Sequence, residues 1–286
     1  MNKNVKESVT WLINNCIEHI KNPSAAEFKK KNPLWFKRAH VQNKKYVNKK
    51  ISVIKSWNKE LYPYIKYIKK SVPDITSQTT ICAVYLLLEY NQKLWQSFIH
   101  LARKGHYSAG MTNLRSINEV STLIQHFTFE YKSGKNTDLK KWFSGEIIPH
   151  RNGRKSINEF LNRHIISEVE KGGVDIEKLQ SEIYQIESLT PHSSYVAMLE
   201  IISPFTKDID FTKRTDYFRM QRSMNFALGT LGDYNTAMQV VFLFLCPDLN
   251  KYSELRLINE KYNPNLIDLD FAEEYFNFLR NRSGPE

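Results

Sequence analysis

"YSAGMTNLRSINEVSTLIQHFTF", residues 107–129, decides the fold. Arg115 and Glu119 are its only acidic or basic side chains, although 25% of the chain is Asp, Glu, Lys or Arg. At 100° per residue, Met111, Leu114, Ile117, Val120, Leu123, Ile124 and Phe127 cover a broad apolar arc. On the other side Arg115, Glu119, Thr122 and His126, with Ser108 one turn earlier, fall in a narrow polar strip. Small residues (Ala109, Gly110, Thr112, Ser116, Ser121) fill much of the remainder and let neighbouring helices come close. A helix apolar nearly all round is enclosed by protein or by lipid.

Two further stretches have the same character. About 77–104 carries only Glu89 and Lys93 before Arg103, and between Ser223 and Cys246 the only charge is Asp233. The greasiest runs, "ICAVYLLLEY" and "VVFLFLC", are far shorter than the roughly 20 residues that span a bilayer. The start, "MNKNVKESVTW", has no apolar core of a signal peptide. Three cysteines, odd in number and widely separated, suggest reduced thiols. The expectation is therefore a cytoplasmic protein without membrane contact.

Glycine and proline, 10 each in 286 residues, are too few for a sandwich or barrel. The pattern predicts an all-α, multi-helix bundle over 73–246 whose main helices lie near 77–104, 106–131 and 217–245. Shorter helices are expected near 137–144, 154–171 and 175–190. An N-terminal region, 1–72, precedes the bundle with a helix at 4–21, and a C-terminal helical extension, 247–286, follows with a helix in 265–282.

Charge is unevenly spread. Residues 28–72 hold 14 bases against one acid, Glu60, and the rest of the chain is close to neutral within a net +11. This basic arm looks helical from about residue 44, with Pro63 expected to kink or interrupt it. Lys29, Lys30, Lys31, Lys37, Arg38, Lys44, Lys45, Lys49 and Lys50 are interleaved with Trp35, Phe36, Tyr46 and Trp57. Lysines neutralise phosphates and aromatics stack on unpaired bases, so nucleic acid is one expected partner. The same run also suits a solvated face whose aromatics pack inward, an acidic protein partner, or the acidic C-terminal part of a second copy in a homo-oligomer.

The Arg115–Glu119 spacing leaves three readings open. It suits an exposed i,i+4 ion pair of small value, a buried structural pair, or two groups lining a pocket. In "YQIESLTPHSSYVAM" a second polar cluster follows, with Tyr184, Ser188 and His192 four residues apart. Pro191 disfavours helix at Thr190, which puts His192 and Ser193 at a helix end or on the next turn.

The "LRSxxE" core in a charge-poor helix, the tryptophan of "LKKWF", and the Tyr184–Ser188–His192 series together resemble a family of bacterial all-helical proteins of unknown function. That family is loosely grouped with the HEPN (higher eukaryote and prokaryote nucleotide-binding) proteins, and the resemblance covers about residues 77–205. It implies a bundle with a polar pocket built from Arg115, Glu119 and the 184–192 strip. Through the wider group it implies action on RNA, as a nuclease or toxin of a phage-defence or stress module. In that expectation Arg115 contacts phosphate, Glu119 orients it and His192 is acid or base. Tyr184, Ser188, Ser193 and His126 then line the substrate. The RNase members carry an Arg followed four to six residues later by His, and this chain has no such pair. The alternative expectation is a non-catalytic helical scaffold or regulator that binds an acidic partner through its arm.

Nucleotide-loop, nucleophile-elbow and H-E-x-x-H motifs are absent. The eight histidines never pair at i,i+3 or i,i+4, so local spacing predicts no zinc site. No cofactor is expected. Acidic pairs at Asp208/Asp210, Asp268/Asp270 and Glu273/Glu274 leave room for a magnesium requirement.

Overall fold

The computed structural model describes residues 33–164 and 217–262, with scattered positions before residue 33 and at 198, 199 and 202. Among the described residues there are seven helices and no strand: α1 Pro33–Lys70, α2 Thr80–Lys104, α3 Tyr107–Lys132, α4 Thr137–Phe143, α5 His150–His164, α6 Tyr217–Phe244 and α7 Leu249–Tyr262. The all-α bundle expected from the sequence is what the chain forms. The helices expected at 4–21, 175–190 and 265–282 fall outside the described stretches.

The opening stretch is α3, and it lies at the centre. It packs against α2, α5 and α6, while α6 also touches α1 and α7. Most of its apolar arc is buried: Leu114, Ile117, Ile124 and Phe127 are fully enclosed, while Val120 and Leu123 are half-buried. The small residues do what their size allows. A Cβ placed on Gly110 would stand 3.2 Å from the Phe98 ring of α2, so the two helices meet there at close range. The turn between α2 and α3 needs its glycine. Gly105 takes φ 81°, which brings its N–H to Ala102 O and that of His106 to Leu101 O.

One apolar core runs through the whole bundle, from Val47, Ile51, Ile54, Trp57, Leu61, Ile65 and Ile68 of α1 to Leu255 of α7. The boundaries drawn at residues 72 and 246 from charge are thus not boundaries of packing, because α1 is an outer layer of the same core. Gln92 of α2 joins three helices inside it. Its amide exchanges two 2.9 Å hydrogen bonds with Asn58 of α1 and donates to the Tyr234 hydroxyl of α6.

Two expectations about α1 are corrected. The helix begins at Pro33, not near residue 44, with proline at its first position, where a missing N–H costs nothing. Pro63 lies inside the helix without ending it. Leu61 before it and Tyr64, Ile65 and Ile68 after it are all buried, so packing on both sides offsets the lost hydrogen bond. Helix α7 lies within the helical extension expected over 247–286, ahead of the helix placed at 265–282. Asp248 starts it, its carboxylate accepting from the Asn250 and Lys251 amides.

Candidate functional site

Arg115 and Glu119 are one helical turn apart on α3, and that local spacing alone brings Arg115 Nε to 2.9 Å from Glu119 Oε1. Their side chains are 14% and 38% exposed. The pair is therefore neither a surface ornament nor an enclosed bridge. Its acid end borders a half-open cleft of about 520 Å³ between α3, the loop after α4 and the start of α5.

The cleft is assembled from three segments. Glu119, Val120, Thr122 and Leu123 come from α3, Trp142 from α4, and Glu146, Ile147, Ile148 and Pro149 from the loop before His150 and Gly153. Gly145, at φ 87°, lets the chain leave α4 sharply: its N–H bonds Trp142 O and that of Glu146 bonds Lys141 O. Gly153 lets α5 lie against α3, since a Cβ there would stand 2.5 Å from Thr122 Cγ2. Trp142 is held edge-on by Phe127 and Phe143, with ring centroids 5.7 and 5.1 Å away. Ile147 stands 93% exposed at the rim.

His150 is the histidine that the structure puts in this cleft. Its Nε2 lies 3.2 Å from the Thr122 hydroxyl. Burial, then the charges of Arg154 and Arg115, pushes its pKa down to about 4, so the ring is neutral at neutral pH. A base that weak takes little proton at pH 7, and a neutral ring supplies no acid.

His126, expected beside Arg115 and Glu119, does not line the cleft that Glu119 borders. It is 5% exposed, with Nδ1 2.8 Å from Ser156 Oγ of α5 and Nε2 3.1 Å from Asp138 Oδ2 of α4. Asp138 also accepts from Asn152 and from Lys141, each at 2.9 Å. Burial works against the Asp138 carboxylate, but the bonds from Lys141, Asn152 and His126 carry its pKa below the usual value. Glu130 completes the group by accepting from the Asp138 and Leu139 amides at the N-terminus of α4. Ligand atoms of His126, Glu130 and Asp138 lie within 4.8 Å of one another, a grouping that could hold a metal ion. Each of them is already engaged, and the Lys141 ammonium supplies the positive charge. The cluster is explained as the clamp that fixes α4 and α5 against α3 and so shapes the cleft. Sequence spacing missed it because Asp138, Asn152 and Ser156 come from other helices.

The remaining candidates divide. Tyr184, Ser188, His192 and Ser193, with Lys29 and the three acidic pairs, lie outside the described residues. Lys37 and Arg38 belong to the first turns of α1. Lys30, Lys31, Lys44, Lys45 and Lys49 are exposed, and Lys31 pairs with Glu27 at 2.6 Å. Lys50 is the exception. It is 2% exposed, with its ammonium 5.3 Å from the centre of the Tyr46 ring, and so does not belong to the outer basic face. Tyr46 and Trp57, expected to stack on bases, are core residues at 9% and 1% exposure. Among the described side chains of α1, the exposed aromatics are Tyr62 and Tyr67, each 38% exposed.

The outer face of α1 is otherwise a continuous lysine band. Lys44, Lys45, Lys49, Lys55, Lys59, Lys66, Lys69 and Lys70 are exposed and fall within an arc of about 160° at 100° per residue. From Lys44 to Lys70 the band is about 39 Å long at 1.5 Å per residue. Beside its second half, α1 and α7 enclose a groove of about 930 Å³ reached by Lys59, Lys66, Lys70 and Lys251, with Glu60 and Glu254 on its walls. Lys261 and Tyr262 bind Glu60, and Tyr64 and Lys251 bind Glu254. Those contacts use the groove's acids internally and leave the lysine band dominant.

Fold and site thus define a class: an all-helical bundle with a lysine-faced outer helix and, elsewhere, a half-open cleft of mixed apolar and polar lining. No protein-family model matches the chain, and no curated protein or solved structure matches it either. Among the described residues no helix is long and apolar enough to cross a membrane.

Proposed function

We propose that this protein binds single-stranded nucleic acid, RNA ahead of DNA, along the outer face of α1. One observation carries the reading: eight exposed lysines share one side of a helix whose other side is anchored in the core. A rigid row of cations about 39 Å long suits the spaced charges of a phosphate backbone, and Tyr62 and Tyr67 offer rings on which unpaired bases stack. The preference for RNA, and a place in a phage-defence or stress module, come from the resemblance of the α3 motif alone. Binding, not cleavage, is proposed, since the lysine band and the exposed Tyr62 and Tyr67 that carry the reading offer contacts to a strand and no reacting group.

The test is fluorescence anisotropy with single-stranded RNA and DNA oligomers of equal length over a salt series. Wild-type affinity should fall steeply as salt rises, because bound lysines release counterions. Lys44, Lys45, Lys49, Lys55 and Lys59 changed together to Glu should abolish binding. Lys50→Met should leave the salt slope unchanged. Salt-independent binding, or tighter binding to an acidic peptide than to RNA, would refute the proposal.

A further inference from the structure

We propose that the groove between α1 and α7 holds a nucleotide by a terminal phosphate, a monoester rather than a link inside a strand. For a strand lying on α1 this is its phosphorylated end, and that part rests on the reading above. The charge and shape of the groove stand separately.

Three ammonium groups gather at one place. Lys59, Lys66 and Lys70 all reach the groove and fall within about 40° of one another at 100° per residue. Lys66 and Lys70 are about 6 Å apart along the helix axis, with Lys59 about 10 Å further back. Flexible four-carbon side chains span those gaps. Among the described residues no acid lies in ion-pair range of any of the three. Lys66 Nζ stands 5.0 Å from the centre of the Tyr62 ring, a contact that orients the ammonium without neutralising it. Helix α7 supplies the second wall, and a concave site concentrates the potential of the cations that line it.

Charge selects the ligand. The groove's two acids are engaged, Glu254 by Lys251 and Tyr64, and Glu60 by Lys261 and Tyr262. Lys59, Lys66 and Lys70 are left uncompensated. The C-terminus of α1 brings roughly half a negative charge near Lys70, well short of cancelling three positive ones. A phosphate monoester carries about −1.5 to −2 at pH 7 and three strong acceptor oxygens, one for each ammonium. A diester or a carboxylate brings one charge and two free oxygens, and leaves a cation over.

Shape selects a nucleotide among monoesters. Pro63, Tyr67 and Ile258 line the same groove. The Tyr67 ring is 38% exposed, packs against Phe242 with centroids 5.7 Å apart, and donates its hydroxyl to Asp248 at 3.2 Å. A ring held in that way is a fixed platform on which a base stacks. The volume, about 930 Å³, lies in the range of small-ligand sites.

The probes are adenosine 5′-monophosphate, its cyclic 3′,5′-diester, adenosine and inorganic phosphate, each of the last three lacking one part of the first. Calorimetric titration of the full chain should show saturable, one-to-one binding of the monophosphate. Its affinity should exceed that of each other probe by at least about tenfold. Lys66→Gln with Lys70→Gln alters two exposed side chains, so Tm should hold while the monophosphate weakens by about tenfold or more. RNA hexamers with a terminal phosphate should bind more tightly than hexamers with both ends hydroxyl, and the same double variant should lose that preference. Lys44, Lys45 and Lys49 changed together to Glu should weaken RNA yet keep the monophosphate. Loss of RNA binding with the monophosphate intact therefore counts against the strand reading alone, and the reverse against the groove alone. No saturable monophosphate binding, equal binding of the cyclic diester or of inorganic phosphate, or tighter binding of a phosphoserine peptide would overturn the assignment.

Discussion

At the scale of single residues, the Arg115–Glu119 pair shows how partial burial sets the value of a charge. A fully exposed pair of this spacing contributes a few tenths of a kcal/mol, and breaking a fully buried one costs about 3–5 kcal/mol. With Arg115 largely covered and Glu119 open to the cleft, Glu119→Ala should cost about 1–2 kcal/mol, between those limits. Urea titration measures it; a loss below about 0.3 kcal/mol would mean that solvent screens the pair entirely. Lys50 makes the complementary point. On the helical wheel it falls among Ile54, Trp57, Leu61 and Ile68, so its burial was legible from angle, although a lysine count alone assigns it to the basic face. His126 was not legible in this way. Its angle puts it with Arg115 and Glu119, but Ser156 and Asp138, which hold its ring, come from other helices.

Between elements, the α3–α5 contact is set by glycine size. Gly153→Ala gains about 1 kcal/mol of helix propensity, but its methyl would drive into Thr122 at 2.5 Å and its carbonyl at 3.2 Å. Overpacking of that kind costs about 1–3 kcal/mol, so a net lowering of Tm is expected. Gly229 of α6 is the control, because a Cβ there meets nothing within 4 Å. Gly229→Ala should raise stability by about 0.5–1 kcal/mol. Differential scanning calorimetry of the two variants checks both signs, and stabilisation by both would show that α5 does not lie against Thr122. Helix α1 carries the opposite lesson about local rules. Proline inside a helix normally breaks it, but at Pro63 four buried neighbours outweigh the missing hydrogen bond.

For the whole molecule, the buried imidazole of His150 ties stability to acidity. Its pKa is about 4 in the folded protein against an ordinary 6.5. Between those values the unfolded chain binds a proton that the folded chain refuses, so stability is full above about pH 6.5 and falls as pH drops toward 4. The loss should be on the order of 2 kcal/mol once solvent reaching the ring is allowed for. Asp138, whose pKa is lowered, adds a loss of the same sign further into acid. Tm measured from pH 7.5 to 4 should therefore decline, and His150→Gln should flatten the upper part of that decline. An unchanged slope in the variant would mean that His150 titrates normally.

What the sequence determined by itself is the part that depends on near neighbours along the chain. Charge-poor periodicity marked α2, α3 and α6 as central, because a helix that is buried all round must be apolar all round. The i,i+4 rule placed Arg115 next to Glu119, and the run of lysines announced a basic surface. Tertiary structure decided what those local facts meet. It brought Trp142, Ile147 and His150 from other segments to the open side of Glu119, set Asp138 and Ser156 on His126, and joined Gln92 to Asn58 and Tyr234. It also made the basic arm an outer wall of the single core. None of these contacts has a sequence period. Each arises from the packing of helices whose spacing is set by small residues such as Gly110 and Gly153, and packing is a property of the assembled bundle, not of any one strip of it.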